Sequence, residues 1–312
     1  MSRFQSPSAF VFYGLFAFLI VATLAARALI RSGKVGGDTA KNLMDRIWAW
    51  WVMIGVLALI FTLGATAITV FFALCSVAAL REFATITHTR RADHDALAIA
   101  FYVILPLQYL LVWLNVPIFA ALLIPVYCFL LLPVVTVFKG EVAGFLTRVS
   151  ETQWGLMVCV YCVSHIPAIL QLQIPGYRYS SFTLVAWLIL VVQASDVLQY
   201  VWGKSLGRHK LAPRVSPSKT VEGLAGGMLS ASLLGMALAP ITPFGWWQAG
   251  LVALVVTTFG FFGGLIMSAI KRDRGVKDWG TLVQGHGGIL DRLDSLVFSA
   301  PVFLHILAWG WL

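Results

Sequence analysis

The feature that most constrains this chain is the recurrence of long stretches without a charged side chain. They run over Ser8–Ala26, Ala96–Leu114, Ile118–Phe138, Trp154–Ile174, Phe182–Gln193, Gln248–Ile270 and Ser295–Leu312. A helix crossing the hydrocarbon of a bilayer needs about 20 mostly apolar residues. The Phe182 stretch continues to Trp202 if one carboxylate, Asp196, is tolerated. Gly223–Pro240 is shorter and Gly-rich, but apolar enough to span. Only 11% of the 312 residues are charged, and the mean hydropathy is +0.88. Those values exclude an ordinary water-soluble domain. The expected fold class is an all-α polytopic membrane protein.

The stretch Ile47–Leu80 is 34 residues long, too long for one untilted helix, and Gly64 is its natural turn. If it forms a hairpin, the chain has about ten transmembrane helices. The loops 31–46, 81–95, 139–153, 203–222 and 271–294 then fall on one side and carry 19 of the 22 Lys and Arg residues. Loop Lys and Arg residues tend to stay in the cytoplasm. Ten spans with both termini outside is therefore the expected topology, in an inner or plasma membrane, with the polar site cytoplasmic. The first apolar segment reads as a retained helix: it is longer than a signal-peptide core, and Arg27 and Arg31 follow it.

The net charge of +9 does not point to nucleic acid, because the basic residues are scattered through short loops beside membrane helices. Anionic lipid head groups account for them. The cysteines Cys75, Cys128, Cys159 and Cys162 all fall inside expected spans. Cys159 and Cys162 have CxxC spacing without a second pair, so small buried thiols are expected. No repeat or soluble-length insertion divides the chain. One membrane domain, 1–312, is expected, with residues 1–181 as scaffold helices and 182–312 as the catalytic part. The early helices are open to two uses, a homodimer interface or a lipid path.

Acids locate the chemistry, because the chain has only 13 and each is costly near lipid. Asp38, Asp45, Glu82, Asp93, Asp95, Glu141 and Glu151 lie among opposite charges in the early loops and read as solvated or topology-setting groups. Asp196 lies inside a helix, six residues before Trp202 and so roughly 9 Å below its end. Gln193, Gln199, Tyr200 and Lys204 share its helical face. That polar stripe points into a bundle; pairing of Asp196 with Lys204 to hold helices together is the alternative.

The loop Gly203–Gly223 combines five cations with hydroxyls, prolines and glycines. Ser216, Ser218 and Thr220 flank Lys219 just before an apolar helix, where free N–H groups and the helix dipole favour an anion. Glu222 follows. A basic loop is also what topology requires. The segment Ser268–Asp294 is more informative. Lys271, Arg272 and Lys277 supply charge, and glycines around His286, including Gly287 and Gly288, let backbone approach a ligand. Asp291 and Asp294 share a face if a helix starts near Ile289. With Asp278 and Asp196 available, these carboxylates suit Mg²⁺ carried in on a nucleotide triphosphate. Cations for phosphates and carboxylates for metal are the two halves of a phosphoryl or nucleotidyl transfer site.

Here the residues reach a resemblance. Ser268, Lys271 and Arg272 (S-x-x-K-R), Lys277 and Asp278 (K-D), and His286, Gly287, Gly288, Asp291, Arg292 and Asp294 (H-G-G-x-x-D-R-x-D) closely resemble the signature of the CDP-diacylglycerol synthase, or phosphatidate cytidylyltransferase, family. The stretch KLAPRVSPSKTVEG over Lys210–Gly223 is similar to a second common element of that family. The resemblance is specific over roughly residues 195–295. It implies transfer from CTP to phosphatidic acid, giving CDP-diacylglycerol and pyrophosphate, with Mg²⁺. Carried over by residue, it implies Asp278, Asp291 and Asp294 as metal ligands or their supports, with Lys277 beside them and Asp196 facing the same cavity. Lys219, Lys271, Arg272 and Arg292 would hold phosphates. His286 is open to a phosphate hydrogen bond or to a structural role in its glycine turn.

The chain departs from the family pattern at Val283 and Gln284, before the H-G-G element, and at Asp196-Val-Leu-Gln-Tyr200, where the groups are bulkier and more polar. Those departures bear on lipid specificity more than on the reaction. A transferase acting on an ether or isoprenoid lipid phosphate is the nearest alternative. A transporter would be expected to spread broken, polar helices over two related halves, whereas here the candidates crowd the C-terminal third.

Overall fold

The computed structural model describes residues 7–32, 36–87, 89–281 and 287–310. Helix α1 covers Pro7–Arg31, α2 Gly37–Leu63 and α3 Ala65–Ile86. Then follow α4 (Arg91–Trp113), α5 (Pro117–Val137) and α6 (Phe145–Gln171). The chain continues with α7 (Ser181–Leu206), a hairpin of β1 (Lys210–Ala212) and β2 (Ser216–Thr220), α8 (Val221–Ala237), α9 (Trp246–Asp273) and α10 (Leu290–Trp309). Among the described residues eight helices are long and apolar enough to cross a membrane, and two shorter apolar helices, Ile47–Leu63 and Val221–Ala237, accompany them. The all-α membrane fold is as expected, with about ten helices.

Gly64 splits the long apolar run between α2 and α3. Its φ of 103° is a conformation that L side chains rarely adopt, so glycine is required at the break. The helices α4, α5 and α6 each contain a π-helical turn, at Ala100–Ile104, Leu123–Cys128 and Met157–Cys162. In α4 this turn precedes Pro106, and in α5 it contains Pro125. A proline supplies no backbone donor and crowds the preceding turn, which a local wide turn relieves.

The main core is formed by α3, α4, α5, α6, α7, α9 and α10, with Ile68, Ile124, Leu156, Leu188, Met267 and Phe303 inside it. Trp187 of α7 stacks on Phe303 of α10 at 5.2 Å between ring centroids. Helices α1 and α2 hold a small separate cluster of Phe12, Leu19 and Ile54. Broad apolar faces, including Leu130, Leu131, Leu229, Trp246 and Trp247, are exposed, as expected where lipid is the solvent.

The expected loops are shorter than the sequence reading made them. Helix α2 starts at Gly37, α3 runs on to Ile86, α6 begins at Phe145, and residues 210–220 form the antiparallel hairpin, with Lys210 opposite Thr220. Three of the basic segments, 81–95, 139–153 and 271–294, are nevertheless tied to one another by ion pairs among the described residues. Arg90 pairs with Glu141 at 3.2 Å, Lys139 pairs with Asp95, Arg148 with Asp93 at 3.3 Å, and Arg274 with Glu151 at 2.5 Å. Asp93 is only 3% exposed, so it is a buried partner of Arg148 rather than the solvated group expected. The CxxC cysteines are free thiols, Cys159 buried and Cys162 half-buried, also as expected.

Candidate active site

Six elements, α2, α7, the β-hairpin, α8, α9 and α10, converge on a cavity of about 530 Å³, within the range of small-molecule sites. Helix α7 contributes Gln193, Asp196, Gln199 and Tyr200, the polar stripe read from sequence. The hairpin and the start of α8 contribute Ser218, Lys219 and Thr220. Helix α9 contributes Phe261 and Gly264, and α10 contributes Asp291, Arg292, Asp294 and Ser295. Trp50 of α2 closes another wall.

The apposition of two carboxylates and one ammonium is the centre of this arrangement. Asp196 and Asp294, from α7 and α10, line the same cavity, and Lys219 is placed there to attract both. Ser295 reaches the Asp196 side chain, and its N–H donates to Asp294 Oδ1 at 2.8 Å. The Lys219 ammonium lies 4.5 Å from the centroid of the Phe261 ring, a cation–π contact. Among the described residues it stops short of a direct ion pair with either acid. Burial pushes Lys219 below the ordinary lysine value, while Asp294 and Asp196 pull it back up. Gly264 makes the approach achievable: a Cβ there would lie 3.2 Å from Lys219 Nζ and 3.6 Å from Asp294 Oδ2. Lys204 is not the partner of Asp196; it lies 5.8 Å from the centroid of the Tyr200 ring.

Asp291 is arranged differently. Its Oδ1 accepts from Lys271 Nζ at 2.6 Å, and its Oδ2 accepts from the N–H groups of Trp279 at 2.8 Å and Gly288 at 2.9 Å. Gly287, with a φ of 81°, turns the chain so that Gly288 can make this bond. The carboxylate therefore clasps α9, the 279 loop and the start of α10 together.

Several candidates lie outside the cavity. Lys277 and Asp278 are exposed on the loop after α9. Arg272 donates to the carbonyls of Val215 at 3.3 Å and Val276 at 3.2 Å, strapping the β-hairpin to α9. Glu222 accepts from the N–H groups of Arg208 and His209 and from the His209 ring, fastening the base of the hairpin. Ser216 sits in β2 away from the cavity wall, and Thr220, at the wall, spends its oxygen on the N-cap of α8, accepting from Gly223 at 3.1 Å. His286, Val283 and Gln284 lie outside the described residues. Among the described residues no group of three or more His, Cys, Asp or Glu is positioned to hold a metal ion.

Four contributors carried little sequence signal. Trp50, Phe261 and Gly264 sit in uncharged stretches, where the only cue was the glycine cluster Gly260, Gly263 and Gly264. Glu82 was read as a solvated or topology-setting group. It is instead 9% exposed and accepts from Ile289 and Leu290 N–H groups, both at 2.9 Å.

Comparison with known proteins identifies relatives of the chain. An Escherichia coli (strain K12) chain called uncharacterized protein YnbB is 38% identical over 298 residues, covering 95% of this chain and 96% of that one. A phosphatidate cytidylyltransferase of Staphylococcus saprophyticus is 34% identical over 165 residues, which is 52% of this chain and 63% of the enzyme. One from Staphylococcus epidermidis is 35% identical over 171 residues, with the same coverage. The match thus spans less than two thirds of the length of these named enzymes. Residues 44–309, which include every cavity residue named above, match the Cytidylyltransferase family, and the chain belongs to that family.

Proposed function

We propose that this protein transfers a cytidylyl group from CTP to phosphatidic acid, releasing pyrophosphate and leaving CDP-diacylglycerol in the membrane. The observation that carries the reading is the convergence of Asp196, Asp294 and Lys219 in one cavity at the charged end of the bundle. In the topology read from sequence, the loops on the side of the site carry 19 of the 22 Lys and Arg residues, which supports a cytoplasmic site. A water-soluble nucleotide and a lipid phosphate at the bilayer surface can both reach such a place. The phosphatidate cytidylyltransferases among its relatives support the choice of lipid.

The chemistry balances without a strong base. A phosphate monoester has its second pKa near 6, so the lipid phosphate is largely a dianion at neutral pH. One of its oxygens forms a bond to the α-phosphorus of CTP as the bond to the bridging oxygen of the β-phosphate breaks. The obstacle is repulsion between two polyanions. Lys219 and Arg292 oppose it with positive charge, and the walls align the reacting groups. Two facing carboxylates beside a lysine fit Mg²⁺, which takes one or two carboxylates plus substrate phosphates and keeps its remaining waters. Asp196 and Asp294 would hold the ion, with Asp291 supporting them. When bound it would screen the triphosphate and polarise the phosphorus under attack.

The test is pyrophosphate release by detergent-purified protein with Mg²⁺ and phosphatidic acid, or an ether or isoprenoid lipid phosphate in its place, offering CTP, ATP, GTP and UTP separately. Turnover confined to CTP or its deoxy form and dependent on the lipid is expected. Turnover only with an ether or isoprenoid lipid phosphate would keep the reaction and replace the acceptor. No turnover with any pair, from folded protein, would overturn the reading.

A further inference from the structure

Glu82 belongs to α3, far in sequence from the signature segment, yet it performs a local task at the start of α10. A helix leaves its first N–H groups without internal partners. Here Gly288 N–H is taken by Asp291, and Ile289 and Leu290 N–H by the two oxygens of Glu82. The residue before α10, Ile289, has no side chain able to cap, so the cap is supplied from another helix. Gly280 and Gly288 leave room for the carboxylate: a Cβ at Gly280 would lie 2.8 Å from Glu82 Oε1, and one at Gly288 would strike the same group. The neighbouring residues repeat the contact, since Phe83 stacks on Trp279 at 5.5 Å. A negative charge at a helix N-terminus is also favoured by the dipole.

We infer that Glu82 is a positioning residue for cytidylyl transfer, because its carboxylate holds the first turn of α10 from which Asp291, Arg292 and Asp294 enter the cavity. The inference rests on the proposed reaction for its kinetic side and on geometry alone for its structural side. Misplacement of a reacting group by about 1 Å costs on the order of 100-fold in rate, so loosening this turn acts more on kcat than on nucleotide affinity, to which Lys219 of β2 still contributes.

The experiment compares Glu82→Ala, Glu82→Gln and, as a control, Asp93→Asn in the full chain. Asp93 is also buried and also accepts a backbone N–H, from Arg90 at 2.9 Å, but it serves a different turn. Hydrogen exchange at Ile289 and Leu290 is measured beside the kinetics. Glu82→Ala is expected to accelerate exchange at those two amides and to lower kcat on the order of 10- to 100-fold, with KM for CTP within about twofold. Glu82→Gln, which keeps one acceptor oxygen, is expected to fall between it and wild type. Wild-type kcat in folded Glu82→Ala, loss of kcat without faster exchange, or an equal kcat loss in Asp93→Asn would each overturn the inference. Absence of turnover in wild type would overturn the functional reading instead, and the exchange rates would still decide whether Glu82 holds α10.

Discussion

Asp291 and Asp294 stand three residues apart on one helix and line the same cavity, but their carboxylates meet opposite surroundings. Asp291 accepts from Lys271 and from two backbone N–H groups. Asp294 accepts the Ser295 N–H and a long 3.5 Å contact from the Ser295 hydroxyl, and it shares the cavity with Asp196 and Lys219. A carboxylate whose lone pairs are already met by fixed donors organises structure, whereas one held against another carboxylate is poised to take up a cation. The spacing of the two acids made them equivalent, and the partners make them different.

The sharpest way to break this comparison is to neutralise each acid. Asp294→Asn and Asp196→Asn should each reduce turnover on the order of a thousandfold, corresponding to several kcal/mol of charge stabilisation. Their thermal unfolding in detergent should be unchanged or raised, because an amide is spared the cost of burying a charge, which outweighs the lost attraction to Lys219. Wild-type turnover in either would remove that acid from the transfer site.

Asp291→Asn should behave in the other way. It leaves the Lys271 ammonium, whose side chain is 10% exposed, without its counter-charge, and breaking such a pair costs about 3 kcal/mol. A clear drop in unfolding temperature, with a smaller loss of turnover than in Asp294→Asn, is expected. Equal stability of the two variants would erase the distinction drawn here.

Much of this was legible in the sequence because the bilayer simplifies the reading. Charge-free stretches gave the helices, Gly64 gave the break between α2 and α3, and the stripe Gln193, Asp196, Gln199 and Tyr200 does line the cavity. What composition and spacing could not convey was partnership across long separations. Glu82 looked like any acid beside an arginine in an early loop, because nothing near it in sequence announces Ile289 and Leu290. Asp278 matched a motif, but spacing could not show that it is exposed on the loop after α9. Phe261 and Gly264 were hidden because an aromatic residue and a glycine in an apolar helix look the same whether they face lipid or a lysine.

Lys219 sharpens the comparison through pH. Its ammonium is weakened by burial, so it loses its charge at a lower pH than an ordinary lysine, and kcat/KM for CTP should fall on the alkaline side as that happens. Arginine stays protonated throughout this range. Lys219→Arg, with its guanidinium over Phe261, should lower the maximum several-fold, on the order of 1 kcal/mol, and move the alkaline limb upward. A limb unchanged in position would assign it to another group.

The smallest effect concerns the floor of the site. At Gly264 an added Cβ would stand 3.2 Å from Lys219 Nζ and 3.6 Å from Asp294 Oδ2. The first distance is tight, but the atom that must yield is the end of a flexible side chain, and the second is ordinary contact. Gly264→Ala should therefore fold normally and displace the ammonium by a few tenths of an ångström, raising KM for CTP about threefold while leaving kcat nearly unchanged. Gly264→Val cannot be accommodated by that small movement and should extend the loss to kcat, since the added methyl groups reach toward Asp294. A rise in KM that grows with side-chain size, read first in affinity and then in rate, would place Lys219 on the nucleotide and Asp294 on the reacting centre. Identical losses in both variants would mean that the two groups move as one unit and that the division of labour between them is wrong.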